Sequence, residues 1–596
     1  MGFWSSRFAN LSIRFAATLA ILPAAGAAGN NYLVHNLVAD QPGIADFTDP
    51  NLVNPWGIYT TATSPFWVSD AGTGLSTVYS SNGAVSATKP TVPPSAKGKS
   101  PALVTGGVAN ATGGFLIQTH APSFIFVTGD GTVSGWASAV SATAAQLMVD
   151  NSSKGAIYYG MAISATTANP APMLYAANFN SGGIDVFDTN YNPVAMGAGA
   201  FVDSAVPAGY APFNIWNLGG NLYVMWAKQN TAKTAWVAGA GLGAVSEFDL
   251  NGNLIKHLAT GGPLNAPWGI AIAPGTFGTF AGDVLVGNFG DGTINAFNPS
   301  TGAALGPLMD QNGNVIQISG LWGLLLGNGG NGGDSNLIYF VAGTDNQLHG
   351  LLGSIQAAPT ITSSSTIVNA ADTTTGIAQN TFVSIYGASL AAVTRSLAAS
   401  DISGTALPKS LAGVSVTVDG LPANMYYISP KQIDILTPVD SATGQVSVVV
   451  TNNGLVSDPV NATMQTFSPA FFLFNSAGAI AATHSNGAIV GATTLYPGLS
   501  TPAARNETIQ LFATGLGQTN PAISSVTVVS APAPCANTAT VSVGGASAKV
   551  AYCGLVAAGL YQVDVTVPSS ATTGDNPVTI TMGTFTSASG ATINVQ

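Results

Sequence analysis

Asn54-Pro55-Trp56-Gly57-Ile58 returns as Ala266-Pro267-Trp268-Gly269-Ile270 and again as Leu321-Trp322-Gly323-Leu324. Weaker copies stand at Gly113-Gly114-Phe115-Leu116, Tyr159-Gly160-Met161-Ala162-Ile163 and Pro212-Phe213-Asn214-Ile215, so that six fall between residues 50 and 355. Each starts an apolar strand, and a polar turn then leads into a second alternating run. Those runs begin at Phe66-Trp67-Val68, Phe124-Ile125-Phe126, Leu174-Tyr175-Ala176, Leu222-Tyr223-Val224, Val284-Leu285-Val286 and Ile338-Tyr339-Phe340, the last continuing to Gln347-Leu348-His349. Gly269 and Gly323 are 54 residues apart, Gly160 and Gly269 are 109 apart with Asn214 midway, and the 103 residues from Gly57 to Gly160 hold two slightly shorter units. A four-stranded propeller blade needs about 50 residues. Period-two alternation broken by Gly- and Asn-rich turns marks hairpins. The spacing predicts an all-β fold with a six-bladed β-propeller over 29–355.

The chain changes character beyond the sixth unit. Residues 356–366 form a linker rich in Pro, Ser and Thr, and no Trp follows Trp322. Val383-Ser384-Ile385-Tyr386-Gly387 is echoed by Ile509-Gln510-Leu511-Phe512-Ala513, an offset of 126, and Gln432-Ile433-Asp434-Ile435-Leu436 by Gln562-Val563-Asp564-Val565-Thr566. Short alternating strands with frequent turns predict two tandem immunoglobulin-like β-sandwich domains, at 367–470 and 501–596, joined by a connector over 471–500.

Composition excludes several classes of function. The 596 residues are 46% apolar, enough for several cores, and only 7% charged, against about 25% in ordinary soluble proteins. A net charge of −11 with 14 basic residues gives no footprint for nucleic acid or for an anionic membrane. Arg7 and Arg14, the apolar stretch 15–22 and Ala25-Gly26-Ala27-Ala28 read as an export signal over 1–28. The apolar stretch is well short of the roughly 20 residues that span a bilayer, so no transmembrane segment is expected. The address predicted is secreted or cell surface. In that oxidising compartment Cys535 and Cys553, which flank a hairpin turning at Gly544-Gly545, come side by side and form a disulfide.

Residues 365–596 resemble the C-terminal module of many secreted proteins of certain soil bacteria, through Ile367-Val368-Asn369-Ala370-Ala371, Tyr427-Ile428-Ser429-Pro430 and Phe512-Ala513-Thr514-Gly515-Leu516-Gly517. Residues 32–354 resemble an uncharacterised exported bacterial β-propeller family, distantly NHL-like, through Asp49-Pro50-Asn51-Leu52-Val53-Asn54-Pro55-Trp56-Gly57 and Asp130-Gly131-Thr132-Val133-Ser134-Gly135-Trp136. These resemblances imply the fold and bring neither an activity nor catalytic residues. Anchoring by a C-terminal sorting tag, found in some of that family, is not expected of a chain ending in Ala591-Thr592-Ile593-Asn594-Val595-Gln596.

Chemistry is sparse. The sequence has no Gly-x-Ser-x-Gly, His-Glu-x-x-His, P-loop or CxxC motif, and its five histidines are scattered. Asp249-Leu250-Asn251-Gly252-Asn253 and Asp310-Gln311-Asn312-Gly313-Asn314 have the alternate oxygens of calcium loops without the distal Glu, and read as turns. Asn54, Asn214 and Asn265 stand at or just before three strand starts and could converge on the propeller axis. The repeated Trp56, Trp268 and Trp322 read as packing between neighbouring blades. An insertion between Trp226 and Val245 carries Lys228, Lys233 and Trp236, and long loops on rigid scaffolds carry binding. The candidate ligand contacts are therefore Asn54, Asn214, Asn265, Lys228, Lys233 and Trp236, with no metal, cofactor or catalytic residue assigned. The expected function is an exported, non-enzymatic binding or scaffold protein whose propeller takes a glycan or protein ligand. The alternatives are a metal-dependent hydrolase, lactonase or lyase at the axis, and a purely structural envelope or matrix component.

Overall fold

The structure, a computed structural model, describes residues 31–164, 171–523, 529 and 531–596; the export signal expected over 1–28 lies outside the described residues. The chain is nearly all-β and divides into two compact units whose described residues run 31–358 and 359–596.

The first unit is propeller-like. Among its described residues six small sheets follow one another along the chain. Their first strands are Pro55–Tyr59, Val104–Ala109, Tyr158–Ile163, Tyr210–Leu218, Pro267–Ile272 and Leu321–Leu326. Each first strand touches the next, and the sixth touches the first, so the six make a closed ring. The last sheet joins the ends of the unit: Tyr32–Ala39 lies antiparallel to Leu351–Ala357, from Tyr32 opposite Ala357 to Ala39 opposite Leu351. Middle strands such as Phe124–Thr128, Leu174–Asn178 and Val284–Asn288 are buried along their whole length, because each sheet is covered on both faces by its neighbours. Separate apolar clusters fill the wedges between successive sheets. Outermost strands such as Leu254–Thr260 and Ala304–Pro307 turn to solvent.

Small residues let the ring close. Gly57, Gly106, Gly160, Asn214, Gly269 and Gly323 hold matching places in the six first strands. A Cβ on Gly57 would lie 3.2 Å from the Gly106 Cα, one on Gly106 would lie 3.3 Å from the Gly160 Cα, and one on Gly323 would lie 2.9 Å from the Trp56 carbonyl oxygen. Backbone therefore meets backbone around most of the centre, and the one larger side chain, that of Asn214, fits because its amide fills the space where a Gly160 Cβ would stand.

Two strand assignments need correction. Gly113-Gly114-Phe115-Leu116 lies in a loop, and the first strand of the second sheet is Val104–Ala109, whose Gly106 is the residue that fits the ring. Gln347-Leu348-His349 belongs to a turn in which Asp345, Asn346 and Gln347 have positive φ, and the next strand is Leu351–Ala357. The propensity of these short apolar pieces for strands yields to the need to close the ring.

In the second unit two sheets share one core over the region of the first copy, with Ile385 and Ile433 from one sheet packed among Val416 and Val448 from the other. The second copy is a single curved sheet wrapped on its own core, bent through the 12-residue strand Ala546–Ala557 and its two register shifts. The sequence echo is matched by pairing: Ser384 stands opposite Asp434, and Gln510 opposite Asp564. The hairpin turning at Gly544-Gly545 pairs Val541 with Ala548 and Val543 with Ala546. Further out Pro534 lies opposite Gly554, and Cys535 and Cys553 form the expected disulfide with their Cα atoms 5.4 Å apart.

Candidate functional site

The ring of first strands has two ends, and they differ. At the end where the strands start, the axis is plugged by aromatic rings. Trp56 stacks on Trp322 at 3.5 Å between centroids, Trp268 stands edge-on to Trp322 at 5.7 Å, and Tyr159 reaches Trp56 at 5.4 Å from the opposite side. The Trp268 indole N–H donates to the Tyr159 carbonyl at 3.0 Å. The repeated tryptophans thus pack between neighbouring sheets, as the sequence suggests, and also across the axis to Tyr159. Aromatic pairs at these distances contribute about 0.5–1.5 kcal/mol each beyond the area they bury.

Trp236 completes the plug. The insertion after Asn221–Lys228 folds back over the axis, and its half-buried Trp236 lies 4.9 Å from Phe213, 5.0 Å from Phe289 and 5.5 Å from Trp322. Four hydrogen bonds hold the loop down, from Tyr159 Oη to the Thr234 carbonyl, from Gln229 Nε2 to the Phe179 carbonyl, from Asn180 Nδ2 to the Lys233 carbonyl, and from the Gly239 N–H to Asn265 Oδ1. Burial alone pushes the Tyr159 phenol up to about 12, so it serves as a neutral donor. Lys228 and Lys233 are exposed at the rim of this loop.

The three asparagines are buried at this end, and their amides are committed. Asn54 Oδ1 accepts from the Trp56 indole N–H and its Nδ2 donates to Gln347 Oε1. Asn214 Oδ1 accepts from the Ile215 N–H and its Nδ2 donates to the Trp268 carbonyl. Asn265 Oδ1 takes the Gly239 N–H while its Nδ2 donates to Asp291 Oδ2. Asn54 shares its left-handed backbone with Ala266, each just before a proline, so Asn265 sits one residue out of register. Among the described residues no three His, Cys, Asp or Glu side chains gather as a metal could require. The Asp249 and Asp310 carboxylates accept N–H bonds from their own turns, as hairpins demand.

At the other end the first strands finish around a cavity of about 450 Å³. Tyr59, Val108, Ile163, Trp216 and Leu325 supply its walls, each from the last residues of a different first strand, and Gly219 and Gly220 supply part of its rim. Among the described residues no carboxylate, amine or imidazole lines it. Tyr59 is the one titratable group among its described lining residues, and burial raises its phenol well above the ordinary range while Ser69 and Ser76 hydrogen-bond to it. The Asn217 amide is spent on the Ile163 carbonyl and the Gly220 N–H. Such a surface recognises shape and apolar area. Sequence reading missed this cavity because its walls are ordinary strand residues scattered over 267 positions.

It also missed partners for four histidines. His35 meets Asp46 at 3.0 Å, His257 meets Asp203 at 2.6 Å, His349 meets Asp40 at 2.7 Å and His484 meets Glu507 at 2.5 Å. The His349–Asp40 pair stitches the last sheet together across 309 residues.

No protein-family model matches the chain. An uncharacterised protein of Acanthamoeba polyphaga mimivirus is 34% identical over 333 residues, covering 54% of this chain and 79% of the viral protein. A second uncharacterised mimivirus protein is 32% identical over 333 residues and 85% of its length is covered. Among solved structures, selenomethionine-substituted virginiamycin B lyase from Staphylococcus aureus is 10% identical with a TM-score of 0.33, over 55% of this chain and 99% of that one. A protein of unknown function from Bacteroides thetaiotaomicron is 10% identical with a TM-score of 0.34, over 55% and 76%.

Proposed function

This chain belongs to the same family as the two uncharacterised mimivirus proteins, and we propose from its own geometry that it is an exported, non-enzymatic binding protein. In this reading the first unit is a six-bladed β-propeller closed by its N-terminal strand, and it presents one ligand site, at the end where the first strands finish. The second unit is a pair of immunoglobulin-like domains that acts as a spacer or surface module. The ligand is uncharged, a glycan ring or an apolar side chain of a partner protein, seated against Tyr59 and Trp216. The observation that carries the reading is the cavity of about 450 Å³ whose lining has no charged group. Export is supported by the Cys535–Cys553 disulfide, and among the described residues no helix is long and apolar enough to cross a membrane. A metal-dependent hydrolase at the axis draws no support from the three asparagines, since every amide oxygen there already accepts a hydrogen bond.

The test is to titrate the purified chain with the neutral fluorophore N-phenyl-1-naphthylamine, then to screen an immobilised glycan set. Saturable one-to-one binding that falls at least tenfold in Ile163→Trp, which fills the cavity, is the expected result. Equal binding by that variant would place the ligand elsewhere and sink the proposal.

A further inference from the structure

His257 and Thr260 lie on Leu254–Thr260, the outermost strand of the fourth sheet of the first unit, and Asp203 lies on the segment leading into that sheet. The Asp203 side chain is 1% exposed and accepts from every side: Oδ1 from the Ala205 N–H at 2.9 Å, Oδ2 from Ser246 Oγ at 2.7 Å and from His257 Nδ1 at 2.6 Å. Ser246 is itself held by the Trp226 indole N–H at 3.0 Å. Burial by itself would raise the Asp203 carboxyl, but the bonds from Ser246, His257 and Ala205 outweigh it and keep the group below its ordinary value. An ionised carboxylate accepts only, so the proton of neutral His257 sits on Nδ1 and the Nε2 lone pair faces outward. Thr260 Oγ1 lies 2.8 Å from that nitrogen.

A histidine at the other end of the chain supplies a contrast. His484 Nδ1 lies 2.5 Å from Glu507 Oε1 and its Nε2 lies 3.0 Å from Thr501 Oγ1, the same order of groups. That Nε2 also faces the Thr501 carbonyl oxygen at 3.1 Å, a second oxygen crowded against the nitrogen. Among the described residues His257 Nε2 has the Thr260 hydroxyl and no carbonyl partner. Thr260 has a second, longer contact to the Ala205 carbonyl at 3.4 Å, between which and His257 its hydroxyl can rotate. Thr260 is exposed, and Gly261 and Gly262 follow it at φ of 70° and 56°, with nothing within 4 Å of where a Gly262 Cβ would stand. The hydroxyl is open to a reagent.

We infer that Thr260 is a nucleophile activated by His257 as general base, with Asp203 as the positioning residue, and that it accepts acyl groups from activated carboxylic esters. Thr260 Oγ1 attacks the ester carbonyl while its proton passes to His257 Nε2, giving an imidazolium paired with Asp203. The tetrahedral adduct collapses, the bond to the leaving oxygen breaks, and the proton on Nε2 goes to that oxygen, leaving an acyl ester on Thr260 and a free alcohol or phenol. The site is separate from the axial cavity, so its failure leaves the binding proposal untouched.

The experiment treats the full chain with p-nitrophenyl acetate, follows nitrophenolate release, and locates acetyl groups by peptide mass spectrometry, with hydroxylamine lability separating esters from lysine amides. Folded wild type is expected to carry a hydroxylamine-labile acetyl on Thr260, formed at least tenfold faster than in urea-unfolded chain. Folded His257→Gln is expected to lose that advantage and Thr260→Ser to keep it. Equal rates in folded and unfolded wild type, or undiminished acetylation of Thr260 in His257→Gln with an unchanged melt, would overturn the inference. If His257→Gln does not fold, the folded-against-unfolded comparison decides alone.

Discussion

Gly269→Ala should be among the most damaging single-methyl additions in the first unit. The new Cβ would collide with the Trp322 carbonyl oxygen and lie 2.9 Å from Leu324 Cγ and 3.3 Å from the Leu324 nitrogen. Two of these obstacles are backbone, so no rotamer change relieves them, and the fifth and sixth first strands must move apart. Such overpacking costs about 1–3 kcal/mol. The cost falls at the upper end because Trp322, on the displaced strand, stacks at 3.5 Å on Trp56. Alanine also restricts the unfolded chain, which returns up to about 1 kcal/mol. The net loss is roughly 2 kcal/mol, about 4 °C at the ~2 °C per kcal/mol of a large domain. Gly275→Ala is the control, since nothing lies within 4 Å of where its methyl would stand and its φ is not left-handed. Urea unfolding followed by tryptophan fluorescence measures the first unit selectively, because the described tryptophans all lie in it. A Gly269→Ala midpoint indistinguishable from that of Gly275→Ala would refute the claim that backbone contact closes the ring.

Three further outcomes are expected. Trp236→Ala should lower the stability of the first unit by about 2–3 kcal/mol in the same assay, since it uncovers five ring contacts; an unchanged midpoint would mean that Trp236 is no plug. Reducing the Cys535–Cys553 bond, or replacing both residues with alanine, should cost the second unit about 3 kcal/mol from the loop of 18 residues it closes, read by differential scanning calorimetry with and without reductant. Asp70→Asn should flatten the pH dependence of the first unit. Burial holds the Asp70 carboxyl well above its ordinary 3.8, so the stability it contributes is fully present below that value and is lost as pH rises. Asparagine still accepts from the Thr77 N–H and hydroxyl, as Asp70 does, and Asn178 and Asn288 end the corresponding strands. Urea midpoints taken from pH 4 to 7 should therefore fall more steeply in wild type than in the variant, where Asp283 still contributes a slope of the same sign; parallel curves would contradict this.

Repetition made the architecture legible. Trp-Gly phrases at a period near 54 residues and an echo at 126 state how the chain folds on itself, because each repeat must bury its faces against the next. The cysteine pairing was legible for a similar reason, since hairpin register follows from the position of Gly544-Gly545. Local patterning failed where closure overruled it. Gly113-Gly114-Phe115 matches the repeat better in letters than Gly106-Gly107-Val108, yet only Gly106 can stand 3.3 Å from a neighbouring backbone once a Cβ is imagined on Gly106.

The site belonged to the other category. Whether three tryptophans separate sheets or plug an axis depends on which way each ring turns, and the cavity exists only because the final residues of several separate strands end in one place. Asp203, His257 and Thr260 are 57 positions apart at most, with nothing in their spacing to mark them. The period of the chain dictates a closed stack of strands; the distances at which particular side chains meet are set by how that stack curves, and no linear pattern contains them.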